Sequence, residues 1–164
     1  MKLDELLTNP LWFPAQVNFE NLIFEELSPA TLKTSPFLDA RAVGKTGKTA
    51  TVPLATLFEN EGRIFAAAQP IYEIFHISHV GSTFIARLMD EFPATVVYKE
   101  PPILHGLATQ YMDAQTGTAF FDRDSLLRLN ALIYAFLTTP NKTTIIKHTS
   151  QNLILPRALA PFGV

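Results

Sequence analysis

Three short runs rich in β-branched and aromatic residues punctuate the second half of the chain: "YEIFHIS" (72–78), "TVVYKE" (95–100) and "TTIIKHT" (143–149). Between them lie stretches with apolar residues at helical spacing. Strands separated by helices cannot return as tight hairpins. Each return needs a crossover, and crossovers give a parallel sheet covered on both faces. The pattern predicts an α/β fold over 71–164: a three-layer parallel sheet. The 164 residues suit one domain with a sizeable core.

The helices between the strands are legible in turn. "STFIARLMDEF" places Phe84, Ile85, Leu88, Met89 and Phe92 on one apolar face, closed by Pro93. "ILHGLATQYM" reads as a helix broken or bent at Gly106, and "DAQTGTAFF" as a loop. Asp122 or Asp124 caps a helix running to about Leu137, and Ser150 caps a last one interrupted by Pro156. Residues 1–70 form a mixed α/β N-terminal extension. In it, "NLIFEEL" (21–27) is a strand, Ser28-Pro29 starts a helix, and "PLATLFEN" is a short helix. "FLDARAV" and "TATVPL" flank "GKTGK" as a hairpin would.

Composition narrows the function. Hydrophobic residues make up 48% and charged residues 17%, which excludes a disordered chain. A net charge of −2 gives no basic excess for broad nucleic-acid binding. There are no cysteines, so disulfides, thiolate metal sites and cysteine nucleophiles are excluded. No stretch approaches the ~20 apolar residues of a membrane-spanning helix, and "MKLDELLTNP" is not a signal peptide. These features predict a cytoplasmic protein. The four histidines have no metal-ligand spacing: His76 reads as a core histidine, and His105 carries no role.

Two stretches invite a phosphate. "VGKTGKTA" (43–50) repeats Gly-Lys-Thr, but a P-loop needs a glycine where Ala42 or Asp39 stands, and no helix follows. It reads as a turn with solvated lysines. "HISHVGSTF" (76–84) has the right context: a strand leads in and a helix leads out. Gly81 permits close approach of backbone to ligand. The amides of Val80, Gly81, Ser82, Thr83 and Phe84 sit at a helix N-terminus, where an anion is favoured. The lysine that reaches the phosphates of nucleoside triphosphates is absent. A simple capped strand-to-helix turn explains the same letters.

The sequence His79-Val80-Gly81-Ser82-Thr83 resembles the signature loop of the sulfotransferases, a branch of the P-loop superfamily. The resemblance continues in "DEFPATVVYKEPPIL", with Asp90, Pro93 and Glu100, as in tyrosylprotein sulfotransferases and bacterial sulfotransferase-like proteins. "IIKHTSQNLILPRAL" is similar to the strand end and helix those bacterial relatives carry further on. The likeness covers about residues 71–164. It implies transfer of a sulfuryl group from 3′-phosphoadenosine 5′-phosphosulfate, as co-substrate, to a hydroxyl acceptor of unknown identity, with no metal. By this resemblance Glu100 is the general base. His79 stands where the family has Lys or Arg and is the electrophilic helper. Val80, Gly81, Ser82, Thr83 and Phe84 bind the donor. Lys147, His148 and Ser150 lie at a strand end that could line the acceptor pocket.

The family's Arg and Ser for the donor's 3′-phosphate belong to a later strand and helix. The chain stops at "LAPFGV", where a βα rhythm would deliver another strand, so 71–164 is expected to be a core incomplete at its C-terminus. Self-association through an exposed sheet edge is the accompanying expectation. Two alternatives stay open: a P-loop kinase or hydrolase, and a non-catalytic anion-binding or interaction domain or inactive fragment.

Overall fold

The computed structural model describes residues 3–38, 42, 46–76 and 81–154. The elements in chain order are α1 (Leu3–Thr8), β1 (Trp12–Val17), β2 (Asn21–Glu26), α2 (Pro29–Thr34), β3 (Thr49–Pro53), α3 (Leu54–Glu59), α4 (Glu61–Ala67), β4 (Ile71–Ile74), α5 (Ser82–Asp90), β5 (Thr95–Lys99), α6 (Pro102–Thr116), α7 (Arg123–Phe136) and β6 (Thr143–Lys147), followed by a 3₁₀ turn, Ser150–Ile154. They form a mixed α/β fold with a small parallel sheet and a separate antiparallel one.

The antiparallel sheet has the order β1-β2-β3. The expected strand at 21–27 is β2, and Ser28 caps α2 by accepting from Thr31 N at 2.9 Å. β3 pairs with β2, from Asn21 opposite Pro53 to Glu25 opposite Thr49. The hairpin expected between 37–43 and 49–54 has its first arm mostly outside the described residues. Among the described residues the strand beside β3 is β2, from earlier in the chain. β1 gave no clear signal because Pro14 interrupts it. The structure accommodates Pro14 on an edge strand, beside a register shift between Pro14 and Gln16.

The parallel sheet has the order β4-β6-β5. Ile71 to Ile74 lie opposite Thr144 to Lys147, and Thr95 to Lys99 opposite Thr143 to Lys147. The last strand is therefore central. β5's outer side is covered by the segment after α2, where Leu38 N donates to Lys99 O at 2.7 Å. Among the described residues no strand pairs with the outer side of β4. Side chains alternate between two faces. Val97, Ile145 and Ile74 pack with Ala86 and Met89 of α5. Val96, Tyr98 and Ile146 join a larger cluster with α6, α7 and the antiparallel sheet, including a Phe24–Phe136 edge contact at 4.9 Å and a Phe13–Tyr98 contact at 5.9 Å.

α5 forms where expected but turns a different face inward. Ser82 and Ala86 are buried, with Met89 beside them, while Phe84 (71% exposed), Ile85, Leu88 and Phe92 face outward. Small residues let the helix approach the sheet closely. α6 is continuous through Gly106 and extends to Thr116, so it also absorbs the first four residues of the expected loop. Gly117, at φ 76, ends it in the left-handed conformation glycine favours. Asp122 caps α7, and hydrogen bonds from Ser125 hold its carboxyl below the usual range.

Two buried tyrosines make the core sensitive to alkali. Burial pushes the Tyr98 hydroxyl up to about 12, against a smaller lowering by Thr139. Tyr134 is also raised, by burial first and then by the charge and hydrogen bond of Glu73. A raised folded value means the stabilisation is full below the unfolded value of 10.0 and is lost as pH rises through the folded one. For Tyr98 this amounts to about 3 kcal/mol. Melting temperature is expected to fall between about pH 10 and 12, and Tyr98→Phe to flatten part of that fall. An identical profile in Tyr98→Phe would remove Tyr98 from the explanation.

Candidate functional site

β4 leads through Phe75 and His76 toward Gly81, which holds φ 79 and caps α5. An added Cβ at Gly81 meets nothing within 4 Å, so glycine is required there by backbone conformation and not by crowding. The first amides of a helix have no intrahelical partner. Phe84 N is the exception here: it donates to Gly81 O at 2.9 Å. The Phe84 amide, expected to bind donor, is therefore engaged within the turn, which leaves Ser82 and Thr83 as the helix-start amides for an anion. Ser82 is buried. His79 and Val80 lie outside the described residues.

Glu100 follows β5 directly. Its backbone has φ 55, although it is not glycine and precedes Pro101. A residue before proline is steered to extended conformations, so this geometry is opposed twice. Strain of this kind costs roughly 1–3 kcal/mol and marks functional sites more often than ordinary turns. The Glu100 amide donates to Lys147 O at 2.7 Å, tying the turn to β6. Lys147 Nζ in turn donates to Glu100 Oε1. The lysine side chain is 1% exposed and the glutamate 21%, so the carboxylate keeps an open side. The Phe37 ring lies 5.4 Å from the ammonium, a cation–π distance.

His76 completes this group. Its Nε2 stands 3.9 Å from Glu100 Oε1, too far for a hydrogen bond but close enough for attraction when the ring is protonated. Among the described residues neither ring nitrogen has a hydrogen-bond partner. The expectation of a core histidine inside a strand is thus corrected: β4 ends at Ile74, and His76 faces the glutamate.

A second polar group lies behind the same sheet edge. Tyr134 Oη donates to Glu73 Oε1 at 2.8 Å, and the same oxygen is 2.9 Å from His148 Nε2. Asn152 Nδ2 stands 3.4 Å from His148 Nδ1. Phe75 stacks on the imidazole at 4.3 Å and 8°. His148 is fully buried, so it does not line an open acceptor pocket; Ser150 is exposed and begins the 3₁₀ turn.

Asp90, part of the resemblance, has a structural partner. Its Oδ2 accepts from Lys99 Nζ at 2.5 Å, and that ammonium also donates to Leu32 O at 3.3 Å and Lys33 O at 2.9 Å. Those carbonyls end α2, where partial negative charge collects. The buried Lys99 pins α2, β5 and α5 together.

The structure therefore brings Glu100 beside Lys147 and His76, at the ends of three neighbouring strands. Lys147 carried a weak sequence signal as the end of a β-run. Glu73 and Tyr134 carried none, since a lone glutamate in a strand and a tyrosine on a helix look ordinary. Among the described residues no group of three or more His, Asp or Glu side chains is placed to hold a metal ion. No described helix is long and apolar enough to cross a membrane. No family model, curated protein or solved structure matches the chain.

Proposed function

We propose that residues 71–164 form a core of P-loop type whose sheet edge transfers a sulfuryl group from 3′-phosphoadenosine 5′-phosphosulfate to a hydroxyl acceptor. The observation that carries this reading is the Lys147–Glu100 pair where the parallel strands end, with His76 at 3.9 Å in the segment leading to the Gly81 turn. Ligands of open α/β sheets bind outside the carboxyl ends of the strands. The turn carries no lysine or arginine of its own, and in this reading Lys147 on the central strand acts through its pairing with Glu100.

In this reading the amides of Gly81, Ser82 and Thr83 hold the phosphate next to the sulfuryl group and stabilise the charge that develops there. The acceptor oxygen forms a bond to sulfur while the bond from sulfur to the bridging oxygen breaks. The electron pair stays on the bridging oxygen, and the acceptor's proton passes to Glu100. A protonated Glu100 no longer neutralises Lys147, so the ammonium becomes available to the departing oxygen. His79 retains the helper role the resemblance implies.

Adenosine 3′,5′-bisphosphate and sulfate are expected to raise the melting temperature more than AMP does. Ligand at 100 times its Kd adds ~2.7 kcal/mol. Gly81→Val is expected to abolish the effect, because a β-branched residue resists positive φ and would swing the amides away. Gly81→Asn tolerates that conformation and is expected to keep part of it. Equal protection of wild type and Gly81→Val would contradict the role of the turn.

A further inference from the structure

α6 carries Gly106 in its second turn, where every other residue except proline would make a better helix. Its backbone φ is not positive, and an added Cβ meets nothing within 4 Å. Neither conformation nor packing asks for glycine there. The missing side chain instead leaves open a cavity of about 460 Å³ between α6 and the end of β1. That volume falls within the usual range for small-molecule sites.

The cavity wall defines what would fit. Among the described residues no charged side chain lines it. Phe19 and Phe120 form an edge-to-face pair at 4.9 Å beside it, and each is about two-thirds exposed. Exposed paired aromatics next to a cavity are the arrangement expected of a ligand clamp. The polar side chains are the amides of Gln16, Asn18 and Gln110, and two of the three have their oxygens already engaged. Gln110 Oε1 accepts from Phe120 N at 3.0 Å, and Asn18 Oδ1 accepts from Glu20 N at 3.0 Å and Asn21 N at 2.8 Å. Their NH₂ groups are the donors that remain for a guest. We propose that this cavity binds a neutral, largely aromatic small molecule carrying an oxygen acceptor. This site is independent of the transfer reading: it uses none of Gly81, Glu100 or Lys147.

The test is fluorescence titration with Prodan, a neutral naphthalene ketone. Wild type is expected to bind it saturably at one site with a blue-shifted emission. Gly106→Leu fills the cavity and improves the helix, so it is expected to weaken binding at least tenfold without lowering the melting temperature. Gly62→Leu makes the same exchange in α4, where a Cβ also meets nothing, and is expected to bind like wild type. Phe120→Ala, at an exposed position, is expected to weaken binding with the fold intact. Leu88→Ser, on the outward face of α5, is expected to leave it unchanged. Absence of saturable binding, undiminished binding by Gly106→Leu, or loss in Leu88→Ser would each overturn the proposal.

Discussion

Glu100→Gln is expected to lower kcat for sulfuryl transfer by about 10²–10⁴, the usual cost of losing a general base. Donor affinity should change little. The substitution keeps the side chain's shape, and its carbonyl oxygen can still accept from Lys147. Glutamine cannot take up the acceptor's proton, and in the proposed mechanism that uptake also frees the lysine. Steady-state kinetics with the melting temperature measured alongside separates the two roles of this side chain. A large drop in kcat with a folded protein supports the base assignment. Full activity would eliminate it. A collapse of stability with unchanged turnover per folded molecule would make Glu100 a structural partner of Lys147 only.

Lys99→Met is expected to cost about 3–5 kcal/mol of folding stability, because it strands Asp90 without its buried counter-charge. The loss also releases the two α2 carbonyls that Lys99 Nζ holds. Adding Asp90→Leu removes the stranded charge, and the double variant is expected to regain most of the loss. Denaturant unfolding of the single and double variants reads this directly. A loss under about 1 kcal/mol, as at exposed pairs, would contradict the pinning role. This lysine is two strand positions from residue 97 and on the same face, yet its chemistry differs wholly from that of Lys147. One lysine meets a helix end and an aspartate; the other meets the carboxylate of the candidate site.

The parallel sheet was legible because β-branched runs at 95–99 and 143–147 leave few alternatives. The caps at Ser28 and Asp122 were legible because short polar side chains there have one local use. α5 was legible as a helix but not in its orientation. The apolar pattern Phe84, Ile85, Leu88, Met89 and Phe92 argued for burial, whereas close approach to the sheet selected Ser82 and Ala86 and kept only Met89 of that set beside them. Periodicity reports which residues share a face, not which face finds a neighbour. Strand order was hidden for a similar reason, since nothing local in β6 states that it inserts between β4 and β5. In the site, Glu100 stood out only by resemblance. Its positive φ and its bond from Lys147 come from the fold, 47 residues apart in the chain. His76 looked like a core residue because the run "YEIFHIS" reads as one strand, although β4 stops at Ile74.

Group transfer itself is tested most directly by giving the protein two labelled donors with one panel of hydroxyl acceptors. The donors are sulfur-labelled 3′-phosphoadenosine 5′-phosphosulfate and ATP labelled in its terminal phosphate. The account predicts that label from the sulfur donor appears on an acceptor with wild type, is nearly lost with Glu100→Gln, and that none passes from ATP. Transfer of phosphate with none of sulfate, or no transfer from either donor, would contradict it.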